Sequence, residues 1–475
     1  MMKQKSIKTA LLLFATLPLG SCASLSPDAA FGDVALSVEQ RTGARIAWDR
    51  GSQEDLAARA TIAQLLRRPL TMRSATQIAL LNNRGLQATY TELGIAQAGL
   101  VQAGLLKNPA FDVSLLNPLQ SALPYNLAYG VVFQFIDALY IPLRRKVAAS
   151  KLEEAKIAVT AAVLDHAAQT QSAFIDYLAA RQMVELFKQV EKSARASFEA
   201  AVALRKAGNI TALEFETRQS LLTNAKLERA NAEAARLEAR ERVNSALGLT
   251  GAQTRWHTAS RLPTRRGKRP LKNIEKRAIE VSLDVRAARQ RLITLARQYG
   301  VKTATSIIPD LEIGFEAERD GAEKQWRRGP TASLVLPLFD QGRAKRKAAE
   351  MQIRKAQALY WDVAVRVRSA ARLVSARLVM SRKQARYYEK AVLPQTAKIL
   401  NATQVNYNGM QLGVFRLLLA KREQIQAGQR YIQALQAYWQ ARVSYQQLMS
   451  GRMPSGGGGM QVSPSSSAPA ESGGH

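Results

Sequence analysis

The chain carries one plan twice, and each copy holds only two short strand-like segments beside helices far longer than a globular domain needs. Pro69-Leu70 recurs as Pro270-Leu271, and Arg145-Lys146-Val147-Ala148 as Arg346-Lys347-Ala348-Ala349, both at an offset of 201. Pro109-Ala110-Phe111-Asp112-Val113 answers Pro309-Asp310-Leu311-Glu312-Ile313 at 200, and Gly208 answers Gly409 at 201. The common order and near-constant offset define two repeats, 70–250 and 271–451, with 251–270 as the linker.

Each copy opens with a helical segment, about 71–106 and 272–302. Period-2 alternation follows. Phe111, Val113 and Leu115 alternate with Asp112 and Ser114, and Leu311, Ile313 and Phe315 with Glu312 and Glu316. Strands are predicted at about 109–116, 130–137, 309–317 and 331–337, paired as two hairpins. Long helices are predicted at 143–206 and 341–407; at 1.5 Å per residue the first is a rod of roughly 96 Å. Gly208 and Gly409 have the character of C′ glycines in the left-handed region. Helices return from them at about 211–248 and 413–449. Seven-residue seams mark both, Ala225, Ala232, Ala239 and Ala246 in the first, Leu418, Ile425, Ile432 and Trp439 in the second. The fold class is mainly α with a small β part.

No stretch beyond the N-terminus reaches the roughly 18 apolar residues of a membrane helix. A membrane span must therefore come from strands, and strands cross a bilayer only as closed barrels. The smallest barrels need about eight strands. Four per chain cannot close, so strands that enter a membrane require an oligomer, with eight strands from two copies or twelve from three.

Lys3, Lys5 and Lys8 precede the apolar run 10–17, which reads as a signal peptide over 1–21. Leu19-Gly20-Ser21-Cys22 resembles a bacterial lipobox, which implies cleavage before Cys22, acylation of the new N-terminus and a lipid-anchored segment 22–69. The alternative is an ordinary signal peptide with an incidental cysteine; either way the protein is exported. The Gly/Ser/Pro-rich tail, 452–475, is predicted to be disordered.

Ala79, Asn83 and Leu86, Pro109-Ala110-Phe111, and Pro337-Leu338-Phe339-Asp340-Gln341-Gly342-Arg343 occur in a set order with the turns Ala207-Gly208-Asn209-Ile210-Thr211 and Tyr407-Asn408-Gly409-Met410-Gln411. In order and spacing these residues resemble the TolC-type outer-membrane efflux protein family, in its lipoprotein branch. The resemblance implies a homotrimer in the Gram-negative outer membrane, in contact with its lipid. One twelve-stranded transmembrane barrel would be continued by an α-helical tunnel in the periplasm. It implies an exit duct for efflux or type I secretion, docked to a periplasmic adaptor and an inner-membrane transporter. Residues 250–270 with about 30–69 would belt the tunnel. Family members often carry acidic residues after the periplasmic turns, at the gate. Here the matching positions are Glu214 after Gly208, and Arg416 and Leu419 after Gly409, so the acidic ring does not carry over to the second copy. A solvated or salt-bridged helix residue is the other reading of Arg416.

Lys+Arg number 68 against 37 Asp+Glu, a formal net charge of +31. Residues 341–390 hold 14 Lys/Arg against Glu350, Asp362 and Glu389. Such a face either lines the tunnel and favours anionic cargo or is simply a solvated outer surface. Export and the lack of a recognition fold argue against nucleic acid as a partner. One cysteine and three scattered histidines give no metal-ligand spacing, and no nucleophile, catalytic pair or cofactor motif is present. The chain reads as a non-enzyme without cofactor. The rival class is a periplasmic lipoprotein coiled-coil scaffold with no channel activity.

Overall fold

The computed structural model describes residues 28, 30–116, 125–264, 270, 272–307, 311–319, 325–335 and 338–454. The signal peptide, Cys22, Pro309-Asp310, Leu336-Pro337 and the tail from 455 lie outside the described residues.

Two helices precede the repeats, α1 (Phe31–Thr42) and α2 (Gln53–Arg67). Copy one comprises α3 (Met72–Asn82), α4 (Arg84–Gln102), β1 (Ala110–Leu116), β2 (Asn126–Gln134), α5 (Phe135–Lys206) and α6 (Ala212–Leu247). Copy two comprises α7 (Ile274–Val281), α8 (Leu283–Ile307), β3 (Leu311–Arg319), β4 (Trp326–Leu334), α9 (Arg343–Tyr387), a π-helical turn (Tyr388–Val392), α10 (Leu393–Asn408) and α11 (Val414–Met449). The chain is mainly helical with one small antiparallel sheet. Two compact units are present, and neither coincides with a repeat. One takes Ala88–Val159 and Ala288–Leu359 with the N-terminal part to Val34; the other takes Ala35–Gln87, Thr160–Ala287 and the chain from Tyr360.

In the second unit, Leu70 and Ile78 of the α3 region, Phe174 and Leu178 of α5, Val243 and Leu247 of α6, and Leu435 of α11 share one buried cluster with Trp256. The Trp256 indole N–H donates to Asn244 Oδ1 at 2.7 Å, and the Arg240 guanidinium lies 4.3 Å from its ring centroid while donating to the Thr254 and Trp256 carbonyls. A second cluster joins Ile274 and Ala278 of α7 to Val367, Ala371 and Val374 of α9 and Leu448 of α11.

Both predicted opening helices are broken once. Each break receives the end of its copy's return helix. In copy one, Asn83 leaves helical geometry (ψ 120), and Asn82 Nδ2 donates to the carbonyls of Leu247 and Gly248 at 2.9 and 2.8 Å. Asn83 Nδ2 donates to Ala246 O at 3.1 Å. The carbonyls that α6 leaves unpaired at its C-terminus are thus satisfied by side chains. In copy two, Ser282 makes the break, and the Leu283 N–H donates to Gly451 O at 2.8 Å. Arg452, read as the first residue of a disordered tail, is instead fixed: its guanidinium meets Asp165 and Asp284, and the Met453 N–H donates to Asp284 Oδ2.

Several boundaries differ from the sequence expectation. The first long helix begins at Phe135 and runs through Pro142, not from 143. The strand predicted at 130–137 is Asn126–Gln134, and that predicted at 331–337 is Trp326–Leu334. Gly329 and Pro330 have turn chemistry, yet both lie inside β4, paired with Glu316 and Phe315. The helix predicted as continuous over 341–407 is interrupted at Tyr388–Val392, just before Pro394, which has no N–H to continue the helical ladder. In α11, the residues at 418, 425, 432 and 439 are only half-buried. The buried seven-residue seam is Ala420, Ala427 and Ala434. It matches the buried Ala225 and Ala232 of α6 at an offset of 202, and in both helices alanine lets a partner helix approach closely.

Candidate functional site: the sheet faces and the helical tips

The sheet is an antiparallel meander in the order β1-β2-β3-β4, so directly paired residues project on the same face. One row reads Phe111, Val131, Phe315, Pro330 across all four strands. The next row on that face reads Val113, Tyr129, Ala317, Arg328, and Tyr129 stacks on Trp326 at 5.6 Å between centroids. Phe111 and Phe315 are 66% and 52% exposed, so this largely apolar face, which carries Arg319 and Arg328 towards the strand ends, has no cover among the described residues.

The opposite face reads Asp112, Gly130, Glu316, Gly329 in one row and Ser114, Ala128, Glu318, Arg327 in another. Gln134, Glu312 and Ser333 form a third, in which Gln134 donates to Glu312 at 3.2 Å and accepts from Lys107 at 2.8 Å. All four carboxylates of the strands, Asp112, Glu312, Glu316 and Glu318, stand on this face. Only glycine fits at 314, where a Cβ would lie 2.7 Å from Thr331 Oγ1 and 2.9 Å from Val131 O. The face is left recessed, with a hollow of about 200 Å³ between Asp112 and Glu316. An apolar face and a charged face, separated by one residue of register, suit a wall between lipid and water.

At the far ends of the long helices, α5 closes on Gly208 at φ +72, with the Asn209 N–H donating to Leu204 O at 2.9 Å. Thr211 caps α6: Thr211 Oγ1 accepts from the Glu214 N–H at 3.2 Å, and Glu214 Oε2 accepts from the Thr211 N–H at 3.3 Å. Glu214 is therefore part of a capping box. In copy two the left-handed residue is Met410 at φ +60, not Gly409, which sits at φ −80. The Gln411 N–H donates to Asn406 O at 2.9 Å, so the closing motif is displaced by one residue from the expected alignment. Gly413 stands at the N-cap without a side chain, and the exposed Arg416 occupies the position of Glu214. Leu419 is exposed. A cation in the first turn opposes the helix dipole. Arg416→Glu is expected to stabilise this hairpin by about 0.3–1 kcal/mol at low salt, and Glu214→Gln, which keeps the capping-box acceptor but removes the charge, to weaken the other by about 0.3–1 kcal/mol; thermal melts at two ionic strengths measure both.

The two hairpins are tied together near these ends. Arg218 donates to Ser197 Oγ at 2.7 Å and to the Tyr407 hydroxyl at 3.1 Å, and Lys421 Nζ donates to Ser193 Oγ at 2.7 Å. Burial, and then the charge of Arg218, hold the Lys421 ammonium below the usual lysine range. Sequence separations near 200 hide these ties from any local pattern. Within hairpin one, Glu191 accepts from Arg229 at 2.9 Å and from Arg195 at 2.7 Å. The Arg229 hydrogen bond, followed by that of Arg195, holds the Glu191 carboxyl below its ordinary value. A depressed carboxyl contributes stability above the unfolded value of about 4.5, and that contribution is lost as the pH falls through the lower folded value. Glu191→Gln is thus expected to lower the melting temperature at neutral pH and to flatten its fall below about pH 4.5. Equal acid limbs for parent and variant in a pH series of melts would refute this.

No described helix is long and apolar enough to cross a membrane, and no described group of His, Cys, Asp and Glu could hold a metal ion. No family model matches the chain. The chain is 24% identical over 366 residues to the cobalt-zinc-cadmium resistance protein CzcC of Cupriavidus metallidurans, covering 76% of this chain and 86% of that protein. A membrane protein from Pseudomonas aeruginosa superposes with a TM-score of 0.64 at 21% identity, over 80% of this chain and 93% of the other. The Campylobacter jejuni CmeC outer membrane channel superposes with a TM-score of 0.65 at 14% identity, over 81% and 86%.

Proposed function

From the premise that the chain has the fold of the TolC-type outer-membrane efflux proteins, we propose that it is an outer-membrane exit duct working as a homotrimer. Each protomer contributes its four strands, β1 to β4, to one twelve-stranded barrel. The long helices continue that barrel as a periplasmic tunnel. The observation that carries this reading is the sheet itself: an uncovered apolar face on one side, four carboxylates on the other, and β1 and β4 as its outer strands. A sheet with free edges is not tolerated in lipid, and pairing β4 of one protomer with β1 of the next removes every edge. Export with acylation at Cys22 places the assembly against outer-membrane lipid. Gly208, Glu214, Arg416 and Leu419, with Gly409 beside the turn, mark the periplasmic end.

Such a duct supplies geometry and electrostatics and no chemistry. It works with a periplasmic adaptor and an inner-membrane transporter in a tripartite efflux or type I secretion system. Divalent metal cations are the cargo best supported, by the likeness to CzcC and by Asp112, Glu312, Glu316 and Glu318 on the face turned to water, against Arg327 alone among cations of those rows. The basic α9 faces outward in this reading.

Reconstitution of the purified protein in planar bilayers tests it. Trimers that conduct, with cations preferred over anions, are expected. A monomer in detergent that leaves bilayers silent would restore the scaffold reading, and an anion-selective pore would overturn the cargo.

A further inference from the structure

Copy two contains one residue more than copy one in its long helical arm, and the structure shows where that residue is held. Upstream of the π-helical turn the copies align at an offset of 201, as in Arg145-Lys146 and Arg346-Lys347. Downstream they align at 202: Met410 takes the place of Gly208, Gly413 that of Thr211, and Ala427 that of Ala225. The extra residue is absorbed at Tyr388–Val392, where the Leu393 N–H reaches back five residues to Tyr388 O. Single π-turns of this kind are one-residue insertions in an α-helix, frequent at functional positions.

The result is an apparent mismatch at the tip. Met410, a residue with a Cβ, is held at φ +60, where L-residues are disfavoured. Gly409, one residue earlier, sits at φ −80, and a Cβ there would come no nearer than 3.5 Å to Val405 O. The observed geometry makes no use of that glycine. Gly409 is, however, the residue that would stand in the left-handed position if the π-turn were absent and α10 were advanced by one residue towards the tip. The extra residue would then lie in the tip loop, between Gly409 and Gly413. α10 has no buried residue along its length, so turning it by about 100° and shifting it by about 1.5 Å breaks up no core. The observed register is marked by Arg218 donating to the Tyr407 hydroxyl, a contact the shift would remove.

We infer that the second helical hairpin has two registers, exchanged by moving one residue between the π-turn at Tyr388–Val392 and the tip loop, with Met410 left-handed in one and Gly409 in the other. The inference does not depend on the proposed function. Steric cost in the left-handed region biases the two states, as in other elements with discrete packed arrangements.

The test is ¹⁹F NMR of the full-length protein in detergent, with a trifluoromethyl tag on Ala402→Cys, an exposed position of α10, in a Cys22→Ser background. Two resonances in slow or intermediate exchange are expected. Gly409→Ala leaves the observed register unstrained and puts a Cβ into the left-handed position of the other, so the minor resonance should fall roughly tenfold. Met410→Gly relieves the observed register and should reduce the same resonance by a similar factor. A single resonance in the parent, or a second one whose share neither substitution changes, would overturn the inference.

Discussion

Phe315→Arg is expected to abolish stable membrane insertion, whereas Glu316→Arg, one residue along the same strand, is expected to insert normally. Phe315 stands in the row Phe111, Val131, Phe315, Pro330, and Glu316 in the row Asp112, Gly130, Glu316, Gly329. A one-residue step along a strand changes the face. On a lipid-facing surface an arginine near the bilayer midplane costs about 2–4 kcal/mol, and the proposed homotrimer would carry the change three times. On the water-facing surface the arginine is solvated. Its effect there is electrostatic: Glu316→Arg should lower the preference for cations in single-channel recordings, most clearly at low salt. Membrane fractionation after urea extraction reads the first effect and reversal potentials read the second. Normal insertion of Phe315→Arg would place the apolar face against protein instead of lipid.

Gly451→Ala is expected to destabilise the fold more than a Gly→Ala change at any other described glycine. Gly451 has φ +103, and a Cβ at this position would collide with the Val281 carbonyl oxygen and with Arg41 Nη1. Neither neighbour is free to retreat. Val281 ends α7, and Arg41 Nη1 donates to Val281 O at 3.0 Å and to Ser450 O at 2.6 Å. The Gly451 carbonyl accepts from the Leu283 N–H, so a shift also breaks the hydrogen bond that seats α11 in the break between α7 and α8. Backbone strain and collision together are worth on the order of 4 kcal/mol. The equivalent Gly248→Ala should cost less, because its φ of +67 is an ordinary left-handed value and its nearest neighbour, Asn82 O, lies at 3.0 Å. Gly208→Ala should cost about 1 kcal/mol, since nothing lies within 4 Å of its Cβ. Melting temperatures in that order test the argument, and a Gly451→Ala protein as stable as Gly208→Ala would refute it.

The duplication, the hairpins and the unbroken first arm were legible because each leaves a local signal: a repeated offset, period-2 alternation, a helix with no breaker between Pro142 and Gly208. The Asn82-Asn83 pair carried no such signal. Its amides act on carbonyls at 246–248, more than 160 residues away, and nothing in the local pattern distinguishes them from loop asparagines. Arg218 with Tyr407, and Arg452 with Asp165 and Asp284, were hidden for the same reason. β4 was misjudged because Gly329-Pro330 has turn chemistry; pairing with β3 across nine residues outweighed it.

By itself the sequence determined the order of elements and the two-faced character of the strands, both consequences of side-chain periodicity and length. Register was left to the tertiary structure. Which residue pairs with Phe315, which alanines form the seam of α11, and whether Gly409 or Met410 turns the tip all depend on one-residue shifts. A one-residue shift barely alters a local pattern but rotates a helix by about 100° or flips a strand to its other face, so only packing between distant segments can fix it.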